Sequence, residues 1–85
     1  MENIVLTVER DEECEQIYIH GSPDKLRWLA SRLQAIANEA EKSGQSHDHL
    51  MSKEWGGSEL SNELQGKKES HSIINHLIVY GWAKS

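Results

Sequence analysis

The chain has 85 residues, enough for one domain and too few for two. At 36% hydrophobic and 27% charged it is too apolar to be disordered, yet a core of this size is thin. Nine Lys+Arg against fourteen Asp+Glu leave a net charge of −5. That balance argues against non-specific binding to nucleic acid or an anionic membrane, and suits solubility or a basic protein partner. No stretch approaches the roughly 18 apolar residues of a membrane helix. Met1 to Val8 carry no basic region and no long apolar run, so a signal peptide is not expected. Cys14 is the single cysteine and forms no internal disulfide, which makes the cytoplasm the expected compartment.

Residues 3–9 read as a strand, with Ile4, Leu6 and Val8 on one face. The charged turn Arg10-Asp11-Glu12-Glu13 leads into a second strand over 14–20. There Ile17 and Ile19 share a face, with Cys14, Gln16, Tyr18 and His20 opposite. The two strands are expected to form a hairpin. Ser22 then fits a helix N-cap and Pro23 the first helical position, with Asp24 where the dipole favours an anion. Leu26, Leu29, Ala30, Leu33, Ile36, Ala37 and Ala40 form one stripe at the helical period. Lys42 suits the negative end, and Gly44 suits the residue just past it. Trp28 lies about 140° from Leu33 and so off the stripe. Either a loop or the Leu60/Leu64 segment covers it, or it is an exposed anchor for a partner.

His47 to Met51 read as a short strand. Ser52 to Ser72 is a long polar connection, unusual inside a compact domain. Within it Ser58 can cap a short helical turn carrying Leu60 and Leu64. Ser72 to Trp82 read as one last strand, apolar on both faces. Ile73, Leu77 and Val79 share a face with Asn75 and Gly81. Ile74, His76, Ile78, Tyr80 and Trp82 take the other, where Tyr18 and His20 can join them. The expected architecture is a single α+β domain over residues 1–85. It is a two-layer sandwich in the order β-β-α-β-β, one long amphipathic helix on a mostly antiparallel sheet of about four strands. One helix covers one sheet face. The other face is then covered by the 52–72 connection, covered by another chain, or left open.

The sequence is sparing with catalytic signals. No Gly-x-Gly-x-x-Gly or phosphate-binding loop is present, and Glu54, Glu59 and Glu63 show no recognisable catalytic spacing. Cys14 lies among Glu12, Glu13 and Glu15, which disfavour a thiolate. No catalytic residue, cofactor or metal ligand is therefore assigned, and an enzyme is not expected. The five histidines keep one alternative open, a small metal-binding or catalytic protein. His47 and His49 point to the same side of a strand, and His20, His71 or His76 are available as a third ligand. The rival explanation is local hydrogen bonding or plain surface exposure.

The run His47-Asp48-His49-Leu50-Met51-Ser52, followed by Glu54-Trp55-Gly56-Gly57 and Glu59-Leu60, resembles the immunity protein 32 family of bacterial polymorphic toxin systems. Asn75-His76, Tyr80-Gly81-Trp82, Gly21-Ser22-Pro23 and the start of the helix fit the same pattern. The resemblance covers nearly the whole chain, and Glu-Trp-Gly-Gly is its most specific piece. It implies a small cytoplasmic α+β protein that neutralises a cognate toxin by stoichiometric binding, with no nucleic-acid or membrane partner. Such a protein works by occupying a surface and needs exposed aromatic anchors. Trp28, Trp55, Tyr80 and Trp82 are the candidate anchors. Glu54 and Glu59 are candidates for pairing with cationic groups of the partner. A homodimer through the outer face of the last strand is a further alternative.

Overall fold

The structure is a computed structural model that describes residues 6–13 and 15–83. The expected placements of Ile4 and Cys14 lie outside the described residues. Strands β1 (Thr7–Asp11) and β2 (Gln16–His20) form the expected antiparallel hairpin, with Val8 opposite Ile19 and Glu9 opposite Tyr18. Helix α1 (Pro23–Ser43) begins where the sequence places it. The Ser22 side chain accepts the Lys25 N–H at 3.2 Å, which satisfies one of the free amides of the first turn. The helix ends at Gly44, whose φ of 96° suits glycine, and the Gly44 N–H donates to the Ala40 carbonyl at 2.7 Å.

Strand β3 (Gln45–Met51) follows, then a single 3-10 turn at Lys53–Trp55. The short helix expected after Ser58 does not form. Residues 58 and 59 form a bend instead, and Leu60 bridges Ser52 in parallel. The Leu60 N–H donates to the Met51 carbonyl, and its side chain enters the core. This segment takes its backbone partners from β3, so it has no need of helical ones.

The last strand divides into β4 (His71–Ile73) and β5 (His76–Trp82). β4 pairs with β1, and β5 pairs with β3 along its whole length. In place of one sheet of about four strands, the described residues form five strands in two antiparallel sheets, ordered β2-β1-β4 and β3-β5. The class remains α+β. The division lies at Ile74-Asn75, where the chain crosses from one sheet to the other. The Ile74 N–H donates to the Val8 carbonyl, and Ser52 N–H donates to the Asn75 carbonyl. Asn75 Oδ1 also accepts Ser52 Oγ–H at 2.6 Å and Asn62 Nδ2–H at 2.9 Å. Ile74, expected on the outer face, consequently packs against the core.

The core is small. Leu6, Val8, Leu29, Leu50 and Leu60 are buried together, with Trp28, Ile74 and Leu77 against them. α1 lies on the β3-β5 ribbon through Leu29, Ile36 and Ala40. Gly81 permits this approach, since a Cβ there would stand 2.9 Å from Ile36 Cγ2. The rest of the expected helical stripe, Leu26, Ala30, Leu33 and Ala37, stays exposed, turned away from the ribbon that α1 lies on.

The long connection covers the polar side of the hairpin. Thr7, Glu9 and Asp11 point under it and are buried. Glu9 is fully enclosed; it accepts the N–H groups of Gln65 and Gly66 and contacts His71 Nδ1 at 3.0 Å. His71 Nε2 lies 3.4 Å from Asp11 Oδ2, and His20 Nε2 lies 3.4 Å from Glu9 Oε1. Burial alone would raise the Glu9 pKa. The hydrogen bonds from Gln65, His71 and Gly66 and the nearby His20 outweigh it and hold the carboxyl below the usual carboxylate range. Tyr18 stacks near His71 at 4.7 Å, so Tyr18 and His20 belong to this knot and not to the outer face of β5. Ile17 and Ile19, on the other side of β2, are exposed.

Candidate functional site

The β3-β5 register determines which side chains meet. His47 is opposite Tyr80, His49 opposite Ile78, Met51 opposite His76 and Gln45 opposite Trp82. All of these point away from α1, because Leu50, Leu77, Val79 and Gly81 take the alternate face beneath the helix. The long connection is engaged over Glu9 through Gln65 and Gly66 and touches this outer face only at its Met51/His76 end, through Trp55 and Gly57.

Six rings form a continuous ladder across it. Trp82 stacks on Tyr80 at 5.7 Å, Tyr80 on His47 at 5.0 Å, and His47 meets His49 edge-on at 5.0 Å. His49 stacks on His76 at 5.0 Å, and His76 meets Trp55 at 5.9 Å. His49 Nδ1 and His76 Nε2 are 2.8 Å apart, within hydrogen-bond distance. The ladder is solvent-facing: Trp82 is 70% exposed, Trp55 57%, Tyr80 50% and Ile78 42%. These rings therefore carry large apolar area that folding has not used.

The Glu-Trp-Gly-Gly segment builds one end of the ladder. Gly56 has φ 87° and closes the turn that presents Trp55. Gly57 passes so close to β3 that a Cβ would stand 2.4 Å from the Met51 carbonyl oxygen. Glu59 accepts the Met51 N–H at 3.0 Å, satisfying an amide at the edge of β3. That hydrogen bond is the main cause that lowers the Glu59 pKa; burial opposes it, and the amides of Glu59 and Ser58 and the charge of Arg32 reinforce it. Glu54 is exposed beside Trp55, with its backbone N–H on Asn62 Oδ1.

Trp28 stands apart from the ladder. It is half-buried against the core, and the Arg32 guanidinium lies 5.3 Å over its ring. Arg32 is held in turn by Asp48 on the inner face of β3, with Nε donating to Oδ2 at 2.6 Å. Two clefts of about 230 Å³ each share Lys25, Ser58 and Glu59; Lys53 and Asn62 line one of them, and Trp28 lines the other.

Of the six residues expected to contact a partner, Trp55, Tyr80 and Trp82 come together on the ladder, with Glu54 at its rim. Glu59 and Trp28 lie at the cleft. Sequence reasoning missed that His47, His49 and His76 join the tryptophans and Tyr80 into one surface. The alternation in both strands carried that signal, but it needed the register to be read. Among the described residues no group of three or more His, Cys, Asp or Glu is placed to hold an ion. His20 and His71 are on the other sheet, at Glu9. No helix among the described residues is long and apolar enough to cross a membrane.

Comparison with curated proteins and with solved structures finds no match. A family model, immunity protein 32, matches residues 16–78. The match spans β2, α1, β3, the Glu-Trp-Gly-Gly turn, β4 and the first half of β5. The chain belongs to the immunity protein 32 family.

Proposed function

We infer that this protein neutralises a cognate protein toxin by stoichiometric binding, and that the ring ladder is the surface it uses. The observation that carries this reading is the open outer face of the β3-β5 ribbon, where six rings are in contact and five of them are exposed. Stacked rings are already ordered, so little side-chain freedom is lost when a partner covers them. Trp55, Tyr80 and Trp82 are the anchors. Glu54 supplies rim charge beside Trp55, and Glu59 with Trp28 extends the contact into the cleft. The net charge of −5 favours a basic toxin surface and speeds the encounter. The protein acts by occupancy, without catalysis, in the cytoplasm where a toxin made by the cell or its kin is met.

The test begins with the genes flanking this chain's own: a toxin domain encoded there is expressed for co-purification and calorimetry. Trp82→Ala and Tyr80→Ala should each weaken binding by at least ~30-fold while leaving the fold intact. Full-affinity binding by the double variant would remove the ladder from the interface. Failure of the unaltered protein to bind or protect would remove the inhibitory role itself.

A further inference from the structure

A second exposed apolar surface lies on α1. Leu26 and Leu33 are each 43% exposed, and Ala30 and Ala37 are exposed between and beyond them. At 100° per residue these four fall on one stripe, about 70° around the helix from the Leu29–Ile36–Ala40 line that meets the ribbon. Arg32, which reaches Asp48, lies on the opposite flank. At its start Leu26 rests beside Gly21, just past β2; beyond it the stripe faces neither sheet nor the cleft.

We propose that this stripe pairs with the same stripe of a second copy, the two α1 helices running antiparallel in a two-fold dimer. Two properties of the helix point to that partner. The first is size. An antiparallel register that sets Leu26 against Ala37 of the second copy also sets Ala30 against Leu33. Every large side chain then faces a small one, the interdigitation that close helix packing needs. The second is charge. Glu41 stands in the last turns of α1, where the carbonyl end of the dipole disfavours an anion. In the same register it lies across from the N-terminal end of the second helix. Arg27 of that copy is then about 7 Å away along the axis, within reach of the two side chains. Within one chain Arg27 contacts Asp24 at 3.5 Å, but both are largely exposed, so that pair contributes little and exchanges freely. The two-fold axis repeats each contact.

One helix face per copy is a small interface, so the dimer is of the weak, concentration-dependent kind. It leaves the ladder free, because the ladder lies on the far side of the ribbon from α1. The proposal therefore stands or falls independently of toxin binding.

Sedimentation equilibrium up to millimolar protein tests it. The unaltered chain is expected to pass from monomer to dimer. Leu33→Glu should raise the dimer dissociation constant at least ~30-fold, with circular dichroism confirming an unchanged helix. Arg27→Glu should raise it about 10-fold, and Arg27→Glu combined with Glu41→Arg should restore it. A monomer at every concentration overturns the proposal, as does a dimer indifferent to Leu33→Glu or a swap that fails to restore pairing. Trp82→Ala should leave the dimer unchanged; if it dissolves the dimer, the copies meet through the outer sheet face instead.

Discussion

Glu9→Gln is nearly isosteric and removes a single charge from a fully enclosed position. The carboxylate accepts the Gln65 and Gly66 N–H groups and faces His71 Nδ1 and His20 Nε2. An amide offers one acceptor oxygen, and its NH2 group must point at donors. About two charge-assisted hydrogen bonds are lost, at about 1.5–3 kcal/mol each. The expected destabilisation is therefore about 3–6 kcal/mol. A domain of this length has about 4–13 kcal/mol in total, so the variant stands near the edge of unfolding. Urea unfolding followed by circular dichroism measures it as a fall in midpoint. The pH dependence supplies a second readout. The Glu9 pKa is lower in the folded chain than in the unfolded one. Its contribution is full above the unfolded value and is lost as pH falls through the folded one. The gap between the two proteins should therefore close on acidification below about pH 4. A loss under about 1 kcal/mol at neutral pH, or a gap that persists undiminished in acid, would refute the reasoning.

Four further outcomes follow from backbone approach and exposure. Gly57→Ala places a methyl group 2.4 Å from the Met51 carbonyl oxygen and should cost about 2–3 kcal/mol in urea unfolding. Gly56→Ala meets no atom within 4 Å and should cost only the ~1 kcal/mol of its left-handed backbone. Gly81→Val pushes into Ile36 and Ala40 and should lower the melting temperature by lifting α1 off the ribbon. Tyr80→Ala with Trp82→Ala should cost less than about 2 kcal/mol together, because both rings are at least half exposed. A larger loss would mean the ladder is core.

The parts legible in the sequence are those that local chemistry decides. Ser22-Pro23 and Gly44 mark the ends of α1 through their own side chains and torsions, and they do so in the structure. The hairpin follows from two alternating runs and a polar turn. The alternation of β5 correctly divides Leu77 and Val79 from Ile78, Tyr80 and Trp82. What stayed hidden depends on distant partners. Nothing near Asn75 in the chain says that Ser52 and Asn62 will hold its side chain and split the strand. Ile17 and Ile19 look like core and Glu9 like surface, yet the reverse holds. The connection brings backbone donors to Glu9 from more than fifty residues away. The candidate site was half legible: its tryptophans and Tyr80 were found by type, and its histidines became part of it only through register.

The separation of the ladder from the core has a consequence for how such a protein diversifies. The side chains on the outer face of β3 and β5 are positioned by a backbone whose stability comes from elsewhere: the buried leucines, the Glu9 knot and the Asn75 contacts. Substitutions at 47, 49, 76, 78, 80 and 82 therefore change the chemistry of that face at little cost to folding. If the ladder is the toxin-binding surface proposed above, that row can be rewritten one side chain at a time on the same scaffold.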